Sequence, residues 1–213
     1  MALLDLVKAK AKDDSGRLTD ADDYLPAIAA ALERYSGHRP LREIADLVGN
    51  GTADLALPVA WEAEFSRVLR VEYPIGLVPE SLLPAGEWSM YRTPAAEWLR
   101  LIQTKPEIGE AVRVTYTLPR TEVSVAKGDL DAVADLAASI CSATLANLFA
   151  QTSDPTIAAD AVNYRTKSAE FSALAKRQRQ LYLDHFGITD DGGPAAAWAT
   201  ADPSPTDRIR LTH

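Results

Sequence analysis

Cysteine is almost absent from this 213-residue chain, histidine is scarce and positive charge is in deficit. The single cysteine, Cys141, excludes an internal disulfide, and its place in an apolar helical run predicts a buried, inert thiol. The three histidines, His38, His185 and His213, fall at two helix ends and the terminus, and none lies at metal-ligand spacing from another or from Cys141. Lys and Arg number 22 against 30 Asp and Glu, a formal charge of −8. That argues against general nucleic-acid binding, which needs an overall basic footprint, while leaving room for local basic patches. No apolar run approaches the ~20 residues of a membrane span. Met1–Lys10 contains Asp5 and no long apolar core, so it does not read as a secretory signal. The expectation is a soluble protein made in a reducing cytoplasm. Catalytic patterns are missing as well. Gly49-Asn50-Gly51 lacks the lysine and helix of a phosphate loop. No serine sits in a Gly-x-Ser-x-Gly turn. The paired carboxylates Asp22 and Asp23 are better explained by a helix start than by acid–base work. No catalytic, cofactor or metal residues are expected, and the chain is not expected to be an enzyme.

A hydrophobic fraction of 47% is ample for a packed core, and the length suits one domain with a small appendage. Leu3, Leu4, Leu6 and Val7 against Asp5, Lys8, Lys10 and Lys12 predict a short amphipathic helix over residues 2–12, stopped by Asp13-Asp14-Ser15-Gly16. A second helix, 20–36, carries Leu25, Ile28, Ala29, Leu32 and Tyr35 on its apolar face. Thr19 or Asp23 could cap it, and Pro26, tolerated only in a first turn, favours Asp23. From Leu41 the period changes, and a β-rich insertion is expected over 41–120. Phe65, Leu69, Val71 and Tyr73 alternate with polar residues, as do Val112, Val114, Tyr116 and Leu118; Trp88–Tyr91 and Glu97–Ile102 are weaker strand candidates. Residues 129–151 return to helix with an apolar stripe from Leu130 to Phe149 too broad for one-sided contact, which predicts the central core helix.

The last helix, expected over 163–186, places Tyr164, Ser168, Phe171, Leu174, Gln178, Leu181 and His185 on one face at steps of three and four. Ser168 and Gln178 interrupt that stripe. The other face carries Arg165, Lys167, Glu170, Lys176, Arg177, Arg179 and Asp184, a net of about +3 within an acidic chain. After Gly187 the composition is that of a linker, with Asp190-Asp191-Gly192-Gly193-Pro194 and Asp202-Pro203-Ser204-Pro205, before the alternating basic and apolar segment Arg208-Ile209-Arg210-Leu211. That segment reads either as a frayed end or as a tail that adds to a partner's sheet or groove. The fold class is therefore α+β: an α-helical bundle with a small antiparallel β-sheet inserted between its N- and C-terminal helices, plus an extended C-terminal tail over 188–213.

The order of these elements resembles one family. "SGRLTDADDYLPAIAAALERYSGHRP" precedes a β-rich middle with "FSRVLRVEYPIG" and "VRVTYTLPR". "LDAVADLAASICSATLANLFAQTSDPTI" and "VNYRTKSAEFSALAKRQRQLYLDHFG" follow. Together, over Met1 to about Gly187, they resemble the head-to-tail adaptor (connector) proteins of long-tailed bacteriophages, most specifically at Tyr164-Arg165-Thr166-Lys167-Ser168. The resemblance implies a single adaptor domain over 1–187. It implies a structural virion protein assembled in the host cytoplasm: a homo-oligomeric ring, usually of twelve subunits, docked beneath the portal protein after DNA packaging. Such a ring extends the DNA channel, which genomic DNA passes without sequence-specific binding, and offers a surface to stopper or tail-completion proteins. No membrane and no cofactor are involved. On this reading Arg165, Lys167, Lys176, Arg177 and Arg179 form a partner interface, and Arg208, Ile209, Arg210 and Leu211 a docking strand. A stopper or tail-completion protein of the same neck, and a small enzyme or ligand-binding domain, are the competing expectations.

Overall fold

The computed structural model describes residues 2–151 and 158–189, the stretch 158–166 by its backbone alone. The chain is mixed α+β, with four α-helices and six strands among the described residues. It divides into two units, one built from residues 2–31 and 127–189, the other from Leu32–Ala126.

In the helical unit, α1 (Leu3–Ala11) buries Leu3, Val7 and Ala11 and ends where Lys12 turns into the left-handed region at φ 53°. A π-helical turn, Asp20–Tyr24, leads into α2 (Leu25–His38), which continues into the second unit. Thr19 caps the turn by accepting from the Asp22 amide at 3.2 Å, and Asp23 accepts in return from the Thr19 amide at 2.8 Å. Thr19 is thus the cap and Asp23 its reciprocal partner, against the expectation drawn from Pro26. The wide turn also rotates the helix that follows. Leu25 is 47% exposed and Ala29 lies outside, while Tyr24, Ala27, Ile28 and Ala31 are buried. One extra residue in a turn shifts the phase of every side chain after it.

Helix α3 (Leu130–Gln151) is the core of this unit, buried on nearly all sides from Ala132 to Phe149. It is long and apolar enough by length and composition to cross a membrane, contrary to the expectation that no run approaches this; 72% of that stretch is buried inside the protein. Helix α4 (Ala158–Phe186) packs along it. The α4 stripe drifts from the expected one: Leu181 is 46% exposed and Tyr182 is buried at 1%. A step of four from Gln178 follows the helical repeat more closely than the step of three that reaches the leucine.

The two polar interruptions are joints. Gln178, 4% exposed, accepts from the Ser142 hydroxyl of α3 at 2.9 Å and donates from Nε2 to the Lys10 carbonyl of α1 at 2.9 Å. Ser168 donates to the Ala146 carbonyl at 2.9 Å. Lys10 adds a second tie, its Nζ lying 2.6 Å from Asp135 and 3.0 Å from Asp131. Burial, with Asp131 nearby, holds the Asp135 carboxyl above its ordinary pKa in spite of Lys10, while on the Lys10 ammonium the two carboxylates outweigh desolvation and raise its pKa.

The second unit holds two three-stranded antiparallel sheets rather than the one expected. The first runs β1 (Leu41–Val48), β6 (Ala111–Leu118), β3 (Val68–Glu72); the second β2 (Asp54–Ala56), β5 (Glu97–Leu101), β4 (Trp88–Arg92). Strands β1 and β6 pair without a bulge from Leu41↔Leu118 to Val48↔Ala111. Leu47, Leu55, Val71, Leu99, Leu101, Val112, Val114 and Tyr116 make the core, with Leu118 packed beside them, as the alternation in β6 predicts. In β3 the register shifts between Val68 and Arg70, which turns Leu69 outward at 41% exposure while Val71 stays inside. Gly49, after β1, has no room for a side chain: a Cβ there would sit 2.3 Å from the Glu107 carbonyl.

Candidate interaction surfaces

The basic residues of α4 separate into groups. Lys176, Arg177 and Arg179 lie within one turn, all exposed, and among the described residues none pairs with a carboxylate. Lys167 stands about 13 Å further back along the helix, nine residues at 1.5 Å each. Its ammonium sits 5.4 Å from the centre of the Phe149 ring, which also receives the Arg17 guanidinium at 4.3 Å and stacks on Phe171 at 5.4 Å. Lys167 is thus engaged with an aromatic ring of its own unit. The Arg165 side chain and the whole of Arg208, Ile209, Arg210 and Leu211 lie outside the described residues. At the end of α4, His185 Nε2 lies 3.0 Å from Asp129 Oδ1 at the foot of α3. Among the described residues no group of three or more His, Cys, Asp or Glu could hold a metal ion. Burial pushes the Cys141 thiol up to about 12, far from the thiolate that nucleophilic chemistry needs.

The β unit carries surfaces that composition did not disclose. Of thirteen large apolar residues left exposed among the described residues, all but Leu25 and Leu181 belong to it. Two of them, Ile44 (62%) and Val48 (69%), stand on β1. Among the described residues, no backbone hydrogen bond beyond the β6 ladder engages Leu41–Val48, so the outer edge of β1 is open. The opposite edge of that sheet is covered, since the Leu83 amide donates to Val71 and the Tyr73 amide to Ser81.

On the second sheet, Tyr91 and Trp98 face each other across β4 and β5, with Arg100 between them and Asp54. The Arg100 guanidinium stacks 3.5 Å from the Tyr91 ring centre and holds both Asp54 oxygens at 2.6 and 2.7 Å. That fork keeps the Asp54 carboxyl below its ordinary pKa. Beside this platform lies an open cleft of about 320 Å³ between Ala56, Leu57, Pro58, Trp61, Ala63, Ala96, Glu97 and Trp98. Trp61 is fixed there by donating Nε1 to Glu97 Oε2 at 3.0 Å and by packing 6.0 Å from the Tyr116 ring. Glu97 is also held by Arg92 at 2.6 Å. The sequence hinted at this site only through two tryptophans 37 residues apart, which the β2–β5 pairing and the Trp61–Glu97 hydrogen bond bring together.

Compared with models of known families and with curated proteins, the sequence matches none.

Proposed function

We propose that this chain is a head-to-tail adaptor of a long-tailed bacteriophage: a structural, non-catalytic subunit of a ring, of about twelve copies as the resemblance implies, beneath the portal. The ring extends the DNA channel and presents a docking surface for stopper or tail-completion proteins, in the neck of the virion. The finer architecture belongs to the same proposal: residues 1–187 act as one adaptor domain, its helices bundled and its β-rich insertion added between them, and 188–213 extend as a tail. The observation that carries this reading is the exposed triad Lys176, Arg177 and Arg179 on α4, in a chain of net charge −8. Three adjacent cations without carboxylate partners among the described residues suit an acidic face on a neighbouring copy or on the portal. Two different faces meeting head to tail are what a closed ring requires. An acidic remainder suits a channel through which DNA slides without sticking.

The test is native mass spectrometry of the full chain, alone and with its cognate portal, beside the double variant Arg177→Glu/Arg179→Glu. The expected result is a ring on the portal that the charge reversal abolishes. A chain that stays monomeric and indifferent to the portal would refute the adaptor role. A ring untouched by the reversal would remove the basic face from the interface.

A further inference from the structure

The cleft beside Trp98 has the chemistry of a proline-segment receptor. Its floor and walls are apolar and ring-shaped, with Pro58 and the indoles of Trp61 and Trp98. The Trp61 indole N–H is spent on Glu97, whereas the Trp98 indole N–H has no partner among the described residues and is free to donate to a peptide carbonyl. Glu62 and Glu64, on either side of the lining residue Ala63, are exposed and form no ion pair among the described residues. Aromatic slots, one indole donor and nearby carboxylates are what bind an extended proline-bearing segment followed by a basic residue, because such a segment is already stiff and loses little entropy on docking.

The chain supplies such a segment. Pro203-Ser204-Pro205 is followed by Arg208 and Arg210, and this is the only basic stretch after Lys176–Arg179. Thr189, the last described residue, precedes Pro203 by 14 residues, a reach of up to about 45 Å in extended chain. We infer that the cleft at Trp61 and Trp98 receives Pro203–Arg210 of a second copy, the prolines against the indoles and the arginines over Glu62 and Glu64. The choice of a second copy rests on the adaptor reading, in which each subunit grips the next through unlike faces. The occupant is a peptide rather than a small ligand, because the cleft is open and the unpaired carboxylates belong to Glu62 and Glu64, neighbours of the lining residue Ala63 that do not themselves line it.

The experiment uses the full chain with photoreactive benzoylphenylalanine in place of Ser204, mixed with an equal amount of ¹⁵N-labelled full chain, irradiated, digested and read by mass spectrometry. The expected products join light tail peptides to heavy peptides containing Trp61 or Trp98. Their yield should fall at least about fivefold with Pro203→Ala/Pro205→Ala, a change confined to the tail, and similarly with Glu62→Lys/Glu64→Lys on the heavy chain. Cross-links within light chains alone, cross-links to β1 or to the helical unit, or yields indifferent to both pairs of substitutions would each overturn the inference. None of these results depends on portal binding, so the inference and the adaptor role can fail separately.

Discussion

Replacing Gln178 with methionine removes a side chain of nearly the same shape from the joint between α1, α3 and α4. The Ser142 hydroxyl, on a residue with no exposed surface, and the Lys10 carbonyl then lose their partner. A stranded buried polar group costs about 1–3 kcal/mol. Serine in a helix recovers part of its loss by bonding the carbonyl one turn back, and methionine gains something by being apolar, so the net cost is about 2–3 kcal/mol. For a protein of this size that lowers Tm by about 4–12 °C. The signals separate by unit once the fourth tryptophan, Trp198, is replaced by phenylalanine: Trp61, Trp88 and Trp98 all belong to the β unit, whereas the long helices dominate ellipticity at 222 nm. Urea unfolding followed by ellipticity should therefore shift to lower denaturant in Gln178→Met, and tryptophan emission should move much less. Adding Ser142→Ala should restore about 1 kcal/mol, because the stranded hydroxyl is then gone. A loss below about 0.5 kcal/mol, or no coupling between the two positions, would refute the view that Gln178 is a joint rather than a flaw in the stripe.

Two further outcomes follow from the charged and ionisable groups. Cys141, raised to about 12 by burial, should be untouched by a disulfide-exchange reagent at pH 8 in native protein and react fully in urea; fast native labelling would contradict its burial. Asp46 and Asp54 are held low by hydrogen bonds from Arg113 and Arg100, and Glu110 by one from the Tyr73 hydroxyl. Because their folded pKa values lie below the unfolded ones, the unfolded chain binds more protons on acidification. Their contribution is complete above the ordinary carboxylate range, near pH 4, and disappears as pH falls through the lower folded values. The urea midpoint read by tryptophan emission in the Trp198→Phe background should accordingly drop between pH 6 and pH 3, and less steeply in Asp46→Asn/Asp54→Asn; equal slopes would show that these pairs do not act on the β unit.

What the sequence disclosed and what it concealed divide along physical lines. The breadth of the α3 stripe and the alternation in β6 as far as Tyr116 survive because burial by the protein's own core imposes both patterns; at the strand's end Thr117, expected outside, is buried, and Leu118 is only half-buried. Strand β1 had no such signature. Leu41, Ile44, Leu47 and Val48 are spaced as on a helix, and Leu, Arg, Glu and Ala favour one, yet eight residues of pairing with β6 override that preference. The phase of α2 was lost to a π-helical turn and that of β3 to a bulge, each a single-residue slip that periodicity does not register. The charged turn of α4 was legible because exposure needs no partner. The Trp61–Trp98 cleft was not, because it exists only through pairing distant in sequence.

The helical unit is discontinuous: its first and last parts are separated by the whole of Leu32–Ala126. As the chain leaves the ribosome, α1 appears well before α3 and α4, against which it will pack. Closing a loop of roughly 95 residues would cost about 4 kcal/mol in chain entropy. The β unit can complete itself first, and pairing of Leu41 with Leu118 then pinches the long loop to fewer than about 20 flexible residues. The closure penalty drops by about 1.5 kcal/mol, roughly a tenfold faster meeting of the two halves. The inserted sheets would then serve as a clasp, and in a chain whose β1–β6 pairing is broken the two halves of the helical unit should meet about tenfold more slowly.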